Sequence, residues 1–216
     1  MSDDRGVVLS LFDKTGTMVK PWLEAGYRCH IVDIQHPKGS HTSGLLTTTG
    51  ADLTTWMPPL GRYILCMAFP PCTHLAVSGA RWFREKGLAA LIEGLTLVER
   101  ARVLCEWTLA PWAIENPAST LSTYWREPDH TFNPCDFGGY VDGGDAYTKR
   151  TCLWAGAGFV MPEPKPVPPL DGSKMHRLPP GPERANLRSA TPEGFARAVY
   201  QYNAAETRPD LFGVSA

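Results

Sequence analysis

Two apolar runs end in a way that leaves few folds open. Tyr63-Ile64-Leu65-Cys66-Met67-Ala68 runs into Phe69-Pro70-Pro71-Cys72, and Trp112-Ala113-Ile114 runs into Glu115-Asn116-Pro117. Short continuous apolar runs read as strands buried on both faces, the pattern of a parallel sheet covered by helices. Proline stops each run because it has no N–H to give to the ladder. In such sheets ligands bind outside the carboxyl ends of the strands. One strand therefore delivers a thiol to that edge and the other a carboxyl group.

A thiol and a carboxyl group at one edge suit chemistry on a pyrimidine ring. Carbon-5 of cytosine is a weak nucleophile until a thiolate adds at carbon-6 and turns the ring into an enamine. A carboxyl group at the N-3 and amino edge then stabilises the charge that builds there. Cys72 suits the first role and Glu115 the second. Read alone, Cys72 is first a buried structural thiol, because free cysteine is among the most buried residue types and reactivity needs a supporting environment.

The chain opens with Val7-Val8-Leu9-Ser10-Leu11 followed by Phe12-Asp13-Lys14-Thr15-Gly16, which reads as a strand, a small-residue turn and a helix from about Met18 to Ala25. That is how doubly wound sheets present backbone amides to a cofactor. The next strand, Tyr27 to Asp33, ends in an acid roughly 20 residues beyond the turn, the spacing of a carboxylate that meets ribose hydroxyls. No G-x-G-x-x-G is present, which disfavours a nicotinamide cofactor. Asp52, before Leu53, is a third acid at a strand end, placed to meet an adenine amino group. Asp33 also reads as an ordinary strand-end acid, and Asp52 as a turn cap.

Taken in order, Phe12-Asp13-x-Thr15-Gly16, Asp33, Asp52, Phe69-Pro70-Pro71-Cys72, Glu115-Asn116-Pro117 and Lys149-Arg150-Thr151 resemble the motif series of the cytosine-5 methyltransferases. The likeness extends to the short bacteriophage-type members, with their Phe-Pro-Pro-Cys-Thr-His-Leu-like loop and Thr-Lys-Arg-Thr-Cys-Leu-Trp segment. It covers the chain from Leu9 to about Tyr200. The resemblance implies a Rossmann-like α/β fold, a mostly parallel sheet flanked by helices, and S-adenosyl-L-methionine as donor. It implies donor contacts at Phe12, Asp13, Thr15, Gly16, Asp33, Asp52, Leu53, Phe69, Pro71 and Gly194. Catalysis falls to Cys72, Glu115 and Arg150, and DNA is the implied partner, with Asn116 and Lys149 on the substrate.

The departures are informative. Thr73 stands where the larger members carry glutamine after the nucleophile, and the first serine, Ser78, comes two positions late. Arg150 is followed by Thr151 and Cys152, so the arginine pair of the family is reduced to one. Most DNA-acting members insert a recognition domain of roughly 80 or more residues, a small-domain size, before the final helix. Here Thr151 to Thr191 holds one apolar strand, Cys152 to Ala157, and then the proline-rich run Met161 to Pro169. Proline at that density reads as an extended surface connection, spanning 161–182.

At 216 residues the chain forms one catalytic domain around one core. A net charge of -1 excludes a strongly basic nucleic-acid-binding module but permits a local basic face. Six cysteines without C-x-x-C spacing read as reduced thiols in a cytoplasmic protein, with no metal, and the resemblance implies a bacterial or phage-infected cell. No run is long enough to cross a membrane, and the oligomeric state stays open. His74 is the histidine near the nucleophile, a tuner of the thiol or a plain loop residue.

Ser78-Gly79-Ala80-Arg81-Trp82-Phe83-Arg84-Glu85-Lys86-Gly87 interleaves aromatics and cations. It reads either as a loop closing over a nucleotide, with Ser78, Arg81, Arg84 and Lys86 on the backbone and Trp82 on a base, or as the solvated start of a helix with Trp82 and Phe83 in the core. A helix from Leu88 to Leu109 follows, with Leu91, Leu95, Val98 and Leu109 as its core stripe. In the tail, Arg184 and Arg188 are phosphate candidates or surface charges. Thr191 before Pro192 reads as the N-cap of a closing helix at about 191–206 that buries Phe195, Val199 and Tyr200. The expected reaction is methyl transfer to carbon-5 of cytosine in DNA. The same chemistry on a free cytidine nucleotide or tRNA, and a non-catalytic binding protein on the same scaffold, are the alternatives.

Overall fold

Along the central strands the side chains alternate between two buried faces, as a period of two requires. The structure, a computed structural model, describes residues 5–173, 181 and 189–205, with backbone only at 78–80. Strands β1 (Val7–Leu11), β2 (Arg28–Ser43), β3 (Leu46–Gly50), β4 (Tyr63–Ala68), β5 (Trp112–Pro117), β6 (His130–Phe132) and β7 (Thr151–Gly156) form a seven-stranded sheet in the order β3-β2-β1-β4-β5-β7-β6. β1 lies between β2 and β4, parallel to both, and β4 is parallel to β5. β7 runs antiparallel to both β5 and β6. The order reverses between β1 and β4, where doubly wound sheets open their ligand crevice.

Val8, Leu65, Met67, Ala113 and Leu153 face one side, against the 3-10 turn Thr17–Val19, α1 (Lys20–Glu24) and α4 (Glu193–Asn203). Leu9, Leu11, Cys66, Ala68 and Ile114 face the other, against Val98, Ala101, Leu104 and Cys105 of α2 (Phe83–Trp107) and Leu121 of α3 (Leu121–Tyr124). Each fully buried Val, Leu, Ile or Met among these contributes about 1.5–3 kcal/mol. The α/β architecture expected from the sequence is therefore present. All six cysteines are free thiols. No helix among the described residues is long and apolar enough to cross a membrane.

Several elements differ from the sequence reading. β2 does not stop at Asp33. Residues 29–33 pair in parallel with β3, then the chain turns back, and Ser40↔Thr49, His41↔Thr48 and Thr42↔Thr47 pair in the opposite sense along the other side of β3. Gly50 permits this, because a Cβ there would sit 2.2 Å from the Pro37 carbonyl oxygen. The first helix is split into the turn Thr17–Val19 and α1. α2 begins at Phe83, but Gly87 breaks it at φ 71, ψ -174, so regular helix starts at Leu88. It ends before Leu109, which lies at φ 56 and is exposed rather than part of the core stripe. Phe195 and Val199 are buried and Tyr200 is half-buried. Thr191 does not cap α4. The N-cap is Pro192, whose carbonyl accepts the Ala196 N–H at 3.0 Å, and the helix ends at Asn203.

Over its described residues 161–173 the proline-rich segment is irregular, as expected, but strapped down. Val167 N–H donates to the Cys135 carbonyl (2.8 Å), Gly139 N–H to Lys165 (2.8 Å) and Thr148 N–H to Gly172 (2.8 Å). These bonds fix the loop that delivers Lys149 to the start of β7. Arg184 and Arg188 lie outside the described residues.

Candidate active site

Because β7 runs against β5, its beginning sits beside the end of β5, with Pro117 opposite Thr151 and Glu115 opposite Leu153. The ends of β1, β3, β4 and β5, the Asp33 end of the parallel arm of β2 and the start of β7 thus share one edge, and every strand-end candidate lies there. A cleft of about 510 Å³ between Val7, Arg28, Leu45, Gly61 and Tyr63 lies at the opposite edge and touches none of them.

On the β1–β3 side the acids are engaged by the backbone. Phe12 leaves β1 in the left-handed region at φ 56 and Gly16 returns there at φ 66. The buried Asp13 carboxylate closes the turn between them. Its Oδ1 accepts the N–H groups of Gly16 (2.7 Å) and Thr15 (3.0 Å), and its Oδ2 accepts the buried Ser10 hydroxyl (2.7 Å). Asp13 therefore shapes the turn and points into it. Thr15 is exposed on the rim. Asp33 is buried and accepts the Gln35 N–H at 2.7 Å. Asp52 is exposed and caps a turn, accepting the N–H (2.9 Å) and hydroxyl (2.8 Å) of Thr54, which hold its carboxyl below the usual range. Arg100 of α2 fastens that turn from behind by donating to the carbonyls of Leu53 and Trp56.

The β4–β5 side differs. Asn116 is fully buried, on the opposite face of β5 from Glu115. Its Nδ2 donates to the Pro70 carbonyl at 3.0 Å, tying the end of β5 to the Pro-Pro-Cys turn. Val77 N–H donates to the Ala118 carbonyl, Thr120 N–H donates to Leu75, and Ala76 bridges Ser119. The loop that carries Cys72 and the loop that follows Glu115 are zipped together. Cys72 is half-buried, in a turn whose Leu75 and Ala76 N–H groups both donate to the Cys72 carbonyl.

Glu115 carries the site's unspent polarity. Its side chain is 13% exposed, and its buried Oε1 has no hydrogen-bond partner. Burial pushes its carboxyl above the ordinary range, opposed by the Lys149 ammonium 3.9 Å away. Lys149, 17% exposed, thus turns inward toward the carboxyl group while Arg150 is exposed. Buried Tyr147 stands close enough to Glu115 and Asp145 that all three influences, burial first, push its hydroxyl up. Asn116 Oδ1 and His74 Nδ1 are further buried polar atoms without partners, and His74 Nε2 faces Glu93 of α2 at 3.8 Å.

Other candidates find different work. Gly194 does make a close approach, but to the Phe137 carbonyl, 2.2 Å from where a Cβ would be, and its N–H donates to Asp145 Oδ2 at 2.7 Å. Lys86 donates to the Thr73 carbonyl at 2.7 Å, which anchors the start of α2 beside the Cys72 turn. Trp82 is 46% exposed, so it is not a core residue, and the Arg81 guanidinium lies 4.9 Å over its ring. The Ser78 side chain lies outside the described residues. Half-buried Phe69 and exposed Pro71 flank buried Pro70 at the end of β4. Tyr147 was not singled out from sequence, where a tyrosine two residues before Lys149 carries no periodic signal. No family model matches this chain, and no curated protein matches it.

Proposed function

We propose that the protein is an S-adenosyl-L-methionine-dependent methyltransferase acting on carbon-5 of cytosine in DNA. The observation that carries this reading is the zipped pair of strand ends. They hold a half-buried thiol and a buried carboxyl group with an unpartnered oxygen at one sheet edge. The donor fits the chemistry of the other half of that edge, where Asp33 closes the parallel arm of β2, Asp52 follows β3 and Gly16 keeps the turn small. Thr15, Gly16, Asp33, Asp52 and Leu53 would hold S-adenosyl-L-methionine, which supplies an electrophilic methyl group when bound.

In this reading Cys72 Sγ adds to carbon-6 of the ring. Glu115, whose carboxyl burial pushes upward, donates a proton to N-3 as the electrons of the carbon-5–carbon-6 double bond move through carbon-4 to N-3. The resulting enamine makes carbon-5 nucleophilic. After carbon-5 gains the methyl group, its proton leaves to a base. The electrons of that bond restore the double bond and expel Cys72 as thiolate, and the N-3 proton returns to Glu115. Lys149, facing Glu115, offsets negative charge at the ring edge.

Transfer of tritiated methyl groups to duplex DNA, single-stranded DNA, tRNA and deoxycytidine monophosphate tests the proposal. Label in DNA that disappears with Cys72→Ala is the expected outcome. Label confined to the mononucleotide or to tRNA changes the substrate, and absence of label from every acceptor refutes the reading.

A further inference from the structure

Directly beyond the Cys72 turn, the chain exposes large apolar side chains where a soluble surface would bury them. Val77 is 54% exposed, Trp82 46%, Leu88 70% and Ile92 56%, all within sixteen residues. Leu88 and Ile92 stand one helical turn apart on a face of α2 that packs against nothing described, while Gly94 of the same helix sits against Leu75 and His74. The same stretch carries three cations, Arg81, Arg84 and Lys86, against one carboxylate, Glu85, in a chain whose net charge is -1. Arg81 is already stacked on the Trp82 ring. The stretch is fastened to the candidate site through Val77 N–H on Ala118, Lys86 on Thr73 and His74 beside Glu93.

We propose that Val77–Ile92 is a docking surface for unpaired DNA, on which bases stack against Trp82 and lie over Leu88 and Ile92 while Arg81 and Arg84 meet phosphates. Charge complementarity selects a polyanion. The apolar component selects an unpaired one, because base faces are open to stacking only outside a duplex, and a duplex offers such a surface mainly phosphates and groove edges. The choice of DNA over RNA rests on the proposed methyl transfer. The docking surface itself does not.

The test measures binding without donor, so that it stands apart from catalysis. Anisotropy of a labelled twelve-nucleotide DNA strand, its duplex and the matching RNA strand is followed against the whole chain. The single DNA strand is expected to bind about tenfold more tightly than the duplex, with quenching of tryptophan fluorescence. Trp82→Ala is expected to weaken it roughly 5- to 100-fold and Trp82→Phe to retain most of it. Leu88→Ser with Ile92→Ser gives a smaller loss. These exposed positions leave the circular dichroism of the fold unchanged. Tighter binding of duplex or RNA, or indifference to Trp82→Ala, overturns the inference. Strand binding without any methyl transfer supports the surface while it removes the proposed activity.

Discussion

The two halves of the reacting edge use their polar groups in opposite ways. At the ends of β1, β2 and β3, Asp13, Asp33 and Asp52 each accept backbone N–H groups and hold turns. At the ends of β4 and β5, Glu115 Oε1, Asn116 Oδ1 and His74 Nδ1 are buried without hydrogen-bond partners, and Glu115 Oε1 has only the Lys149 ammonium 3.9 Å away. Unmade hydrogen bonds of buried groups cost stability, and folds retain them where a ligand completes them. The first half spends its carboxylates on turns, and the second leaves buried polar atoms unpaired, which is what the proposed chemistry requires.

Substitution should separate the halves. Glu115→Gln should lower kcat about 10²- to 10⁴-fold in the methyl-transfer assay and leave the fold intact. Its stability carries a pH signature. Between the ordinary glutamate range and the raised value, the folded chain keeps a proton that the unfolded chain has released, so wild-type stability falls as pH rises. Thermal melts should show the variant gaining on wild type across that window, and an unchanged difference would mean that Glu115 is not held protonated. Asp13→Ala should do the reverse. It strands the Ser10 hydroxyl and two turn amides, and urea unfolding should register a loss of about 2–4 kcal/mol. Gly194→Ala places a methyl group against the Phe137 carbonyl and should cost about 1–3 kcal/mol in the same assay. Lys149→Met removes the cation that opposes burial at Glu115, so the high-pH fall of the rate profile should move upward. Asp52→Ala, at an exposed cap, should change stability by about 0.5 kcal/mol or less.

Much of this division was readable from residue order. Val8 and Leu9, or Leu65 and Cys66, announce strands buried on both faces, and proline after the β4 and β5 runs marks where the edge lies. The return arm of β2 was not readable, because Lys38 to Ser43 is polar throughout and shows no apolar alternation. Its pairing rests on backbone bonds and on hydroxyl pairs such as Ser40 with Thr49 at 2.7 Å and Thr42 with Thr47 at 3.0 Å. Helical spacing marks Leu91 and Val98 but does not say that Leu88 and Ile92 face outward. Which of Lys149 and Arg150 turns inward depends on the strap at Lys165 to Gly172, and no local period in the sequence encodes it.

The zip between the Cys72 loop and the Glu115 loop has a consequence for motion. Its amide bonds, from Val77 and Thr120, cross from one loop to the other in both directions. Neither loop can peel away without breaking bonds that the other also needs, so the two open as one cooperative unit. The exchange of those amides with solvent and the transient uncovering of the Asn116 side chain are then a single event, with one free energy shared by the thiol and the carboxyl group.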